Sequence, residues 1–414
     1  MHAPLPVGMA GFLVGMAGLP VGIAGLLVGM AGLPVGIAGL PVGIAGSPLH
    51  LAPPEGGAAS PSAPPAPVAG QAVAREPDAL FDLLPYGDWR VVGGAARFEL
   101  LPPANGGVGP TLVGRGPIDR NGFLTSPRAL GDFRLVVDVR LGSSTNPTGE
   151  KMNSGIQIRS GEKGGAIGGM QVEIDPTPRR WSGGIYDERG RLWLAPLEGN
   201  AAAQAAFRLG EWNTYEIECI GPRIRTRVNG VACAQWFDEI VDGLLAFQVH
   251  GGPECEVAFR APAIEEIGRH AWRELREQAA ASSGERVAWS GSIGADATGV
   301  RLEVRGACRI ELLDREGRRL AEVPCAPIET VRDAKGVESP ASEELRARPR
   351  RVAIVWKDAA TSEGTDGAAL IDGARAAELA LSSQPARMRV VGAGDVAKTE
   401  ELAPVRGAST PSER

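Results

Sequence analysis

Hydrophobic and polar positions alternate with a period of two through the middle of the chain. The stretch from Gly168 to Asp187, GGMQVEIDPTPRRWSGGIYD, shows this most clearly, with Gln171, Glu173 and Asp175 alternating with Val172 and Ile174. Successive side chains of a strand point to opposite faces, so the polar groups share one face and the aliphatics the other. NSGIQIR repeats the arrangement, with Asn153, Gln157 and Arg159 opposed to Ile156 and Ile158. AFQVH repeats it again, with Gln248 and His250 opposed to Phe247 and Val249. Three strands that hide aliphatics and display amide, carboxylate, guanidinium or imidazole groups predict one sheet with a ligand-facing polar side. An ordinary solvated face would carry more Lys, Thr and Ser.

The same period continues on both sides. DFRLVVDVRL sets Phe133, Leu135, Val137 and Val139 against Arg134, Asp138 and Arg140. EWNTYEIECIG and RIRTRVNGV read as a pair joined at Gly221-Pro222, and LLAFQVHG and CEVAFRAPAIEEI close the series. No helical pattern of useful length interrupts these strands over 78–273, so the fold class is all-β, an antiparallel β-sandwich or jelly roll. GRHAWRELREQAAASSG then predicts a short helix followed by a linker over 274–284. Residues 285–402 return to short strands and predict a smaller β-rich domain, in which DGARAAELAL fits a helix or a strand. Residues 403–414 read as a tail.

The N-terminus is of another kind. Residues 1–46 repeat a seven-residue unit (MAGFLVG, MAGLPVG, IAGLLVG, MAGLPVG, IAGLPVG), and no charge occurs from Ala3 to Leu49. On a helix, Gly11, Gly15, Gly18, Gly22, Gly25 and Gly29 would form a GxxxG stripe suited to close helix packing in a membrane. The run also exceeds the ~20 apolar residues that span a bilayer. Pro20, Pro34 and Pro41 interrupt it, and the basic n-region of a signal peptide is missing. One expectation is export or membrane anchoring, in a periplasmic or membrane-attached protein. The other is duplication of a short coding repeat, or a start codon set too early, in a cytoplasmic one. Residues 47–77 are rich in Pro, Ala, Gly and Ser and read as a linker without a core.

Composition narrows the partners. The 414 residues carry a net charge of −6, which argues against a nucleic-acid partner held by phosphate neutralisation. Six of the eight Trp lie between Trp89 and Trp272, so the strongest core is expected in the middle of the chain. The five cysteines include no CxxC pair, which removes finger- or ribbon-type zinc spacing. Cys308 and Cys325 flank a predicted hairpin and would sit opposite each other if Glu316-Gly317 were a two-residue turn, whereas a longer loop would shift the register. A disulfide and two buried thiols are both open there.

Leu80-Phe81, GFLTSPRALGDF, NSGIQIRS, GMQVEIDPTPRRWSGGIYDE, EWNTYEIECIG, RTRVNG, AFQVHG and VAFR follow one another in an order that resembles the 3-keto-disaccharide hydrolase domain family, over about residues 78–273. The resemblance implies a concanavalin-like β-sandwich, usual in exported bacterial proteins, that acts on 3-keto-glycosides or related sugars. Three departures stand out. Ala261 follows the final FR where many members have Asn. The link before NSG is longer. Gln171 precedes Glu173, the order of a VEIDP subgroup.

For such a substrate the hydrogen at C2 is α to a carbonyl and acidic. Its removal expels the C1 substituent, and water adds back. Ordinary glycoside hydrolysis instead needs two carboxylates flanking the bond. His250 is the leading base, since an unperturbed imidazole titrates near neutrality. Glu173 is the second base candidate or, with His250, a ligand for a divalent metal. Asp175 is a substrate-binding candidate on the same face and, with Glu173 and His250, would complete a set suited to zinc or a similar ion. Arg159 would hold the enolate or a hydroxyl, Asn153, Gln171, Tyr186 and Gln248 would bind hydroxyls, and Trp181 would stack on a sugar ring. The plainer readings are a structural histidine, carboxylates paired with Arg159 or Arg179, a turn at Asp175-Pro176, and packing roles for Trp181 and Trp212. The reading is therefore a glycoside-cleaving hydrolase or lyase with a 3-keto-sugar substrate. The alternative is a non-catalytic, lectin-like carbohydrate-binding module of an exported protein, and a third class is a wall-attached structural protein.

Overall fold

A computed structural model describes residues 89–103, 109–116, 118–142, 153–252, 255–279, 284–332, 337–356 and 365–405. The heptad repeat, the Pro-rich linker, Leu80-Phe81 and the tail beyond 405 lie outside the described residues.

The central strands are β1 (Arg90–Gly93), β2 (Arg97–Leu101), β3 (Thr111–Arg115), β4 (Gly122–Thr125), β5 (Asp132–Leu141), β6 (Ser154–Lys163) and β7 (Ala166–Ile174). They continue as β8 (Ile185–Glu188), β9 (Leu192–Ala195), β10 (Asn213–Ile220), β11 (Arg223–Val228), β12 (Val231–Phe237), β13 (Leu244–Val249) and β14 (Glu256–Gly268). They form two antiparallel sheets of seven strands, ordered β1-β4-β13-β6-β7-β8-β9 and β12-β11-β10-β5-β14-β3-β2. The alternation dictates what lies between them. Leu135, Val137 and Val139 from β5 meet Ile156, Ile158, Met170, Val172, Ile174 and Phe247 from the first sheet, all fully buried in one core. Each such side chain contributes about 1.5–3 kcal/mol relative to exposure. The expected all-β sandwich is what the chain forms. The predicted β10–β11 hairpin turns at Gly221, whose φ of +51° lies in the left-handed region.

A second pair of sheets, of six and five strands, follows. Val300, Leu302, Ile310, Leu312, Val352, Ile354, Trp356, Met388 and Val390 fill its separate core. The helix expected after Gly268 does not form. His270–Glu274 pairs with Asp395–Pro404, and Arg276–Glu277 pairs with Val287–Ser292. Ladder bonds to distant strands outweigh the helix preference of Arg, Glu and Leu. DGARAAELAL resolves as a turn at Asp372-Gly373 and a strand, Ala374–Leu381.

Cys308 and Cys325 lie directly opposite each other, as free thiols. The loop closes between Asp314 and Arg318, wider than a two-residue turn, and a bulge between Leu312 and Leu313 restores the register.

Candidate active site

The outward face of the first sheet gathers a cavity of about 330 Å³, at the small end of the ~300–1,000 Å³ usual for small-molecule sites. Asn153, Gln171, Glu173, Tyr186, Gln248 and His250 line it together with Asn121, Arg179, Glu188 and Trp193. Register explains the convergence. Gln171 on β7 stands opposite both Gln157 on β6 and Tyr186 on β8, and Glu173 stands opposite Gly155. A Cβ at Gly155 would fall 2.2 Å from the Gln171 carboxamide carbon, so only glycine leaves Gln171 its place.

An amide relay runs under the cavity floor. Ser160 Oγ donates to Gln157 Oε1 at 2.5 Å, Gln157 Nε2 to Gln171 Oε1 at 2.7 Å, and Gln171 Nε2 to Glu173 Oε1 at 2.7 Å. Glu173 is only 4% exposed. Burial pushes its pKa up to about 8, against the Gln171 hydrogen bond, and the charges of Asp175 and Glu188 add to the rise. Glu173 is therefore a carboxylic acid at neutral pH, with Oε1 held as an acceptor. Burial also raises the pKa of Glu188 and of Tyr186.

His250 follows β13 directly. Its Nδ1 lies 2.7 Å from Gly251 O. A carbonyl oxygen only accepts, so Nδ1 carries the hydrogen and the neutral ring keeps its lone pair on Nε2. Burial lowers the His250 pKa, with the Gly251 contact opposing. Asn121 braces this corner by accepting from Gly251 N at 2.9 Å and donating to Glu188 Oε1 at 3.4 Å. Among the described residues, Asn153 Oδ1 and Gln248 Oε1 are buried without a hydrogen-bond partner. An unpaired buried acceptor costs about 1–3 kcal/mol, which a hydroxyl donor in the cavity would recover.

Three of the candidates lie elsewhere. A register shift between Ile158 and Gly161 puts Arg159 at φ +47°. Its fully buried guanidinium lies 3.6 Å from Asp132 and donates to Ile240 O. Asp175 makes the turn after β7, with Oδ1 accepting from Thr177 N and Oδ2 3.3 Å from Arg179 Nε. Trp181 packs edge-on against Trp193 at 4.6 Å, and Arg179 lies over both rings. Trp193 is the indole that reaches the cavity. As for a metal, Glu173 and His250 share the cavity, but no group of three or more His, Cys, Asp or Glu able to hold an ion occurs among the described residues.

Glu188 and Trp193 join the cavity beyond the residues the sequence predicts. IYDE alternates, so the period of two puts Glu188 on the face of Tyr186. Asn121 sits in a loop with no periodicity to mark it.

Residues 85–265 match the family model described as the 3-keto-alpha-glucoside-1,2-lyase-like domain, in line with the resemblance read over 78–273. Among solved structures the chain is similar to the carbohydrate binding module CBM66 from Bacillus subtilis, at 14% identity over 43% of this chain and 95% of that one, with a TM-score of 0.31. It is similar to a Bacillus subtilis protein of unknown function with a galectin-like fold, at 12% identity over 44% and 90%, TM-score 0.33. It is also similar to the cellulose induced protein Cip1, at 15% identity over 43% and 91%, TM-score 0.32. No curated protein matches the chain.

Proposed function

Residues 85–265 carry a domain of the 3-keto-alpha-glucoside-1,2-lyase-like family, and from that premise we propose that the cavity cleaves 3-keto-glycosides by proton abstraction at C2. One observation carries the reading: an imidazole whose Nδ1 is tied to Gly251 O, which leaves Nε2 as the acceptor, lines the same cavity as the buried Glu173 carboxyl. Their pKa values are pushed apart in the order that chemistry needs, base below and acid above neutrality.

His250 Nε2 takes the C2 proton, and the electron pair of the C2–H bond forms an enolate with the C3 carbonyl. The enolate collapses, C3=O re-forms, C1=C2 forms, and the C1–O bond to the leaving group breaks. Glu173 gives its proton to the departing oxygen. Water then adds at C1 with the two roles exchanged, and the chain acts as a hydrolase. Without that step it acts as a lyase. Asn153 and Gln248 accept from sugar hydroxyls, and Tyr186 and Trp193 complete the cavity wall.

The test uses the full chain with a chromogenic 3-keto-glucoside and its parent glucoside. Release from the keto sugar alone, lost in His250→Ala while sugar binding persists, is the expected result. Binding of sugars with no release from either would replace this reading with that of a carbohydrate-binding module, for which the two unpaired amide oxygens serve equally well.

A further inference from the structure

We propose that Arg191 is a positioning residue that ties the Tyr186–Glu188 wall of the cavity to the second pair of sheets; the role in turnover rests on reading that cavity as the active site. Along β8, Tyr186 and Glu188 line the cavity and Asp187 alternates away from it. Asp187 Oδ2 accepts from Arg191 Nε at 2.6 Å. Arg191 Nη1 then reaches two further oxygens, Asp238 Oδ2 at 2.8 Å and Gly373 O at 2.7 Å.

Both far anchors are held by bonds of their own. The Asp238 carboxylate is fully buried and also accepts from Trp236 Nε1 at 2.9 Å and Ile240 N at 3.0 Å. Gly373 belongs to the turn whose Asp372 accepts from Arg351 N at 2.9 Å and Arg350 Nε at 2.6 Å. The near end is strained. Arg189 and Leu192, flanking the β8–β9 turn, have φ of +62° and +67°, each costing about 1–2 kcal/mol for a non-glycine residue. A hairpin so bent needs outside bonds to keep its shape. A planar guanidinium that serves three oxygens at once supplies them, and an ammonium cannot copy its fork. Arg191 also neutralises Asp187, whose charge lies behind both cavity groups of β8.

The experiment compares the full chain with Arg191→Ala, Arg191→Lys and a control, Arg225→Ala. Amide hydrogen exchange over 183–195 is measured alongside kcat and KM for the 3-keto-glucoside. Arg191→Ala is expected to speed hairpin exchange at least tenfold while 132–141 stays protected, and to lower kcat about 10- to 100-fold with KM within about threefold. Arg191→Lys should recover part of both, and Arg225→Ala should change neither. Should Arg191→Ala not fold, Arg191→Lys carries the same two readouts at smaller amplitude. Unchanged exchange overturns the tie, and faster exchange with unchanged kcat overturns its role in positioning. If the unmodified chain turns over nothing, the cleavage reading falls, while the exchange measurement still upholds or overturns the tie.

Discussion

Gln171 donates to Glu173 Oε1 at 2.7 Å, and its own Oε1 is held by Gln157. The carboxyl group thus has one oxygen fixed as an acceptor, which leaves the other to carry the proton. A relay of neutral amides supplies orientation without supplying the positive charge that would ionise the acid.

Stability should record that protonation. Glu173 titrates near 8 in the folded chain, above the 4.5 of an unperturbed glutamate. Between those values the folded state binds more protons than the unfolded one, so stability falls as pH rises through the window. Glu173→Gln keeps the acceptor for Gln171 and removes the ionisation. It should match the parent near pH 4 and exceed it by about 4–5 kcal/mol at pH 9. Denaturant melts at the two pH values check this, and a constant difference between the proteins would refute it.

Turnover should follow a bell. kcat/KM rises as His250 loses its proton, below the ordinary 6.5, and falls as Glu173 ionises near 8. His250→Gln should remove the acidic limb and about 10²–10⁴ of the rate. An acidic limb that survives the substitution would assign the base elsewhere.

Gln248→Met keeps length and removes an acceptor that has no partner among the described residues. Stability of the free protein should hold or rise by about 1 kcal/mol, while affinity for a 3-keto-glucoside falls at least about tenfold. Calorimetric titration beside a thermal melt separates the two. Loss of stability with unchanged affinity would make Gln248 a structural residue.

Ala261 has φ +44° at a bulge of β14. Alanine is poorly suited to that conformation, and asparagine adopts it readily. Ala261→Asn should stabilise by about 0.5–1 kcal/mol, or roughly 2 °C in Tm. A lower Tm would show that the bulge has no room for the amide.

The alternation of Asn153, Gln171, Glu173, Gln248 and His250 made the sheet and most of the cavity legible, because a period of two needs only local sequence. What escaped depended on distant partners. Arg159 left the polar face because one extra residue on β6 breaks the period, and no residue type marks a bulge. Asp175 was readable both as ligand and as turn, and Pro176 after it favoured the turn. HAWRELREQ looks helical until a distant strand, Asp395–Pro404, is there to pair with it. Asn121 works through the Gly251 backbone, which leaves no trace in composition.

The opposed thiols of Cys308 and Cys325 have a consequence for where the chain has been. Facing residues of antiparallel strands hold their Cα atoms about 4.5–5.5 Å apart, inside the range a disulfide spans. A molecule matured among cytosolic reductants would keep both sulfhydryls, and one carried into an oxidising space would close them. The hairpin is thus a chemical memory of itinerary. It can be read by mass as the loss of two hydrogen atoms, and it persists after any leader has been removed.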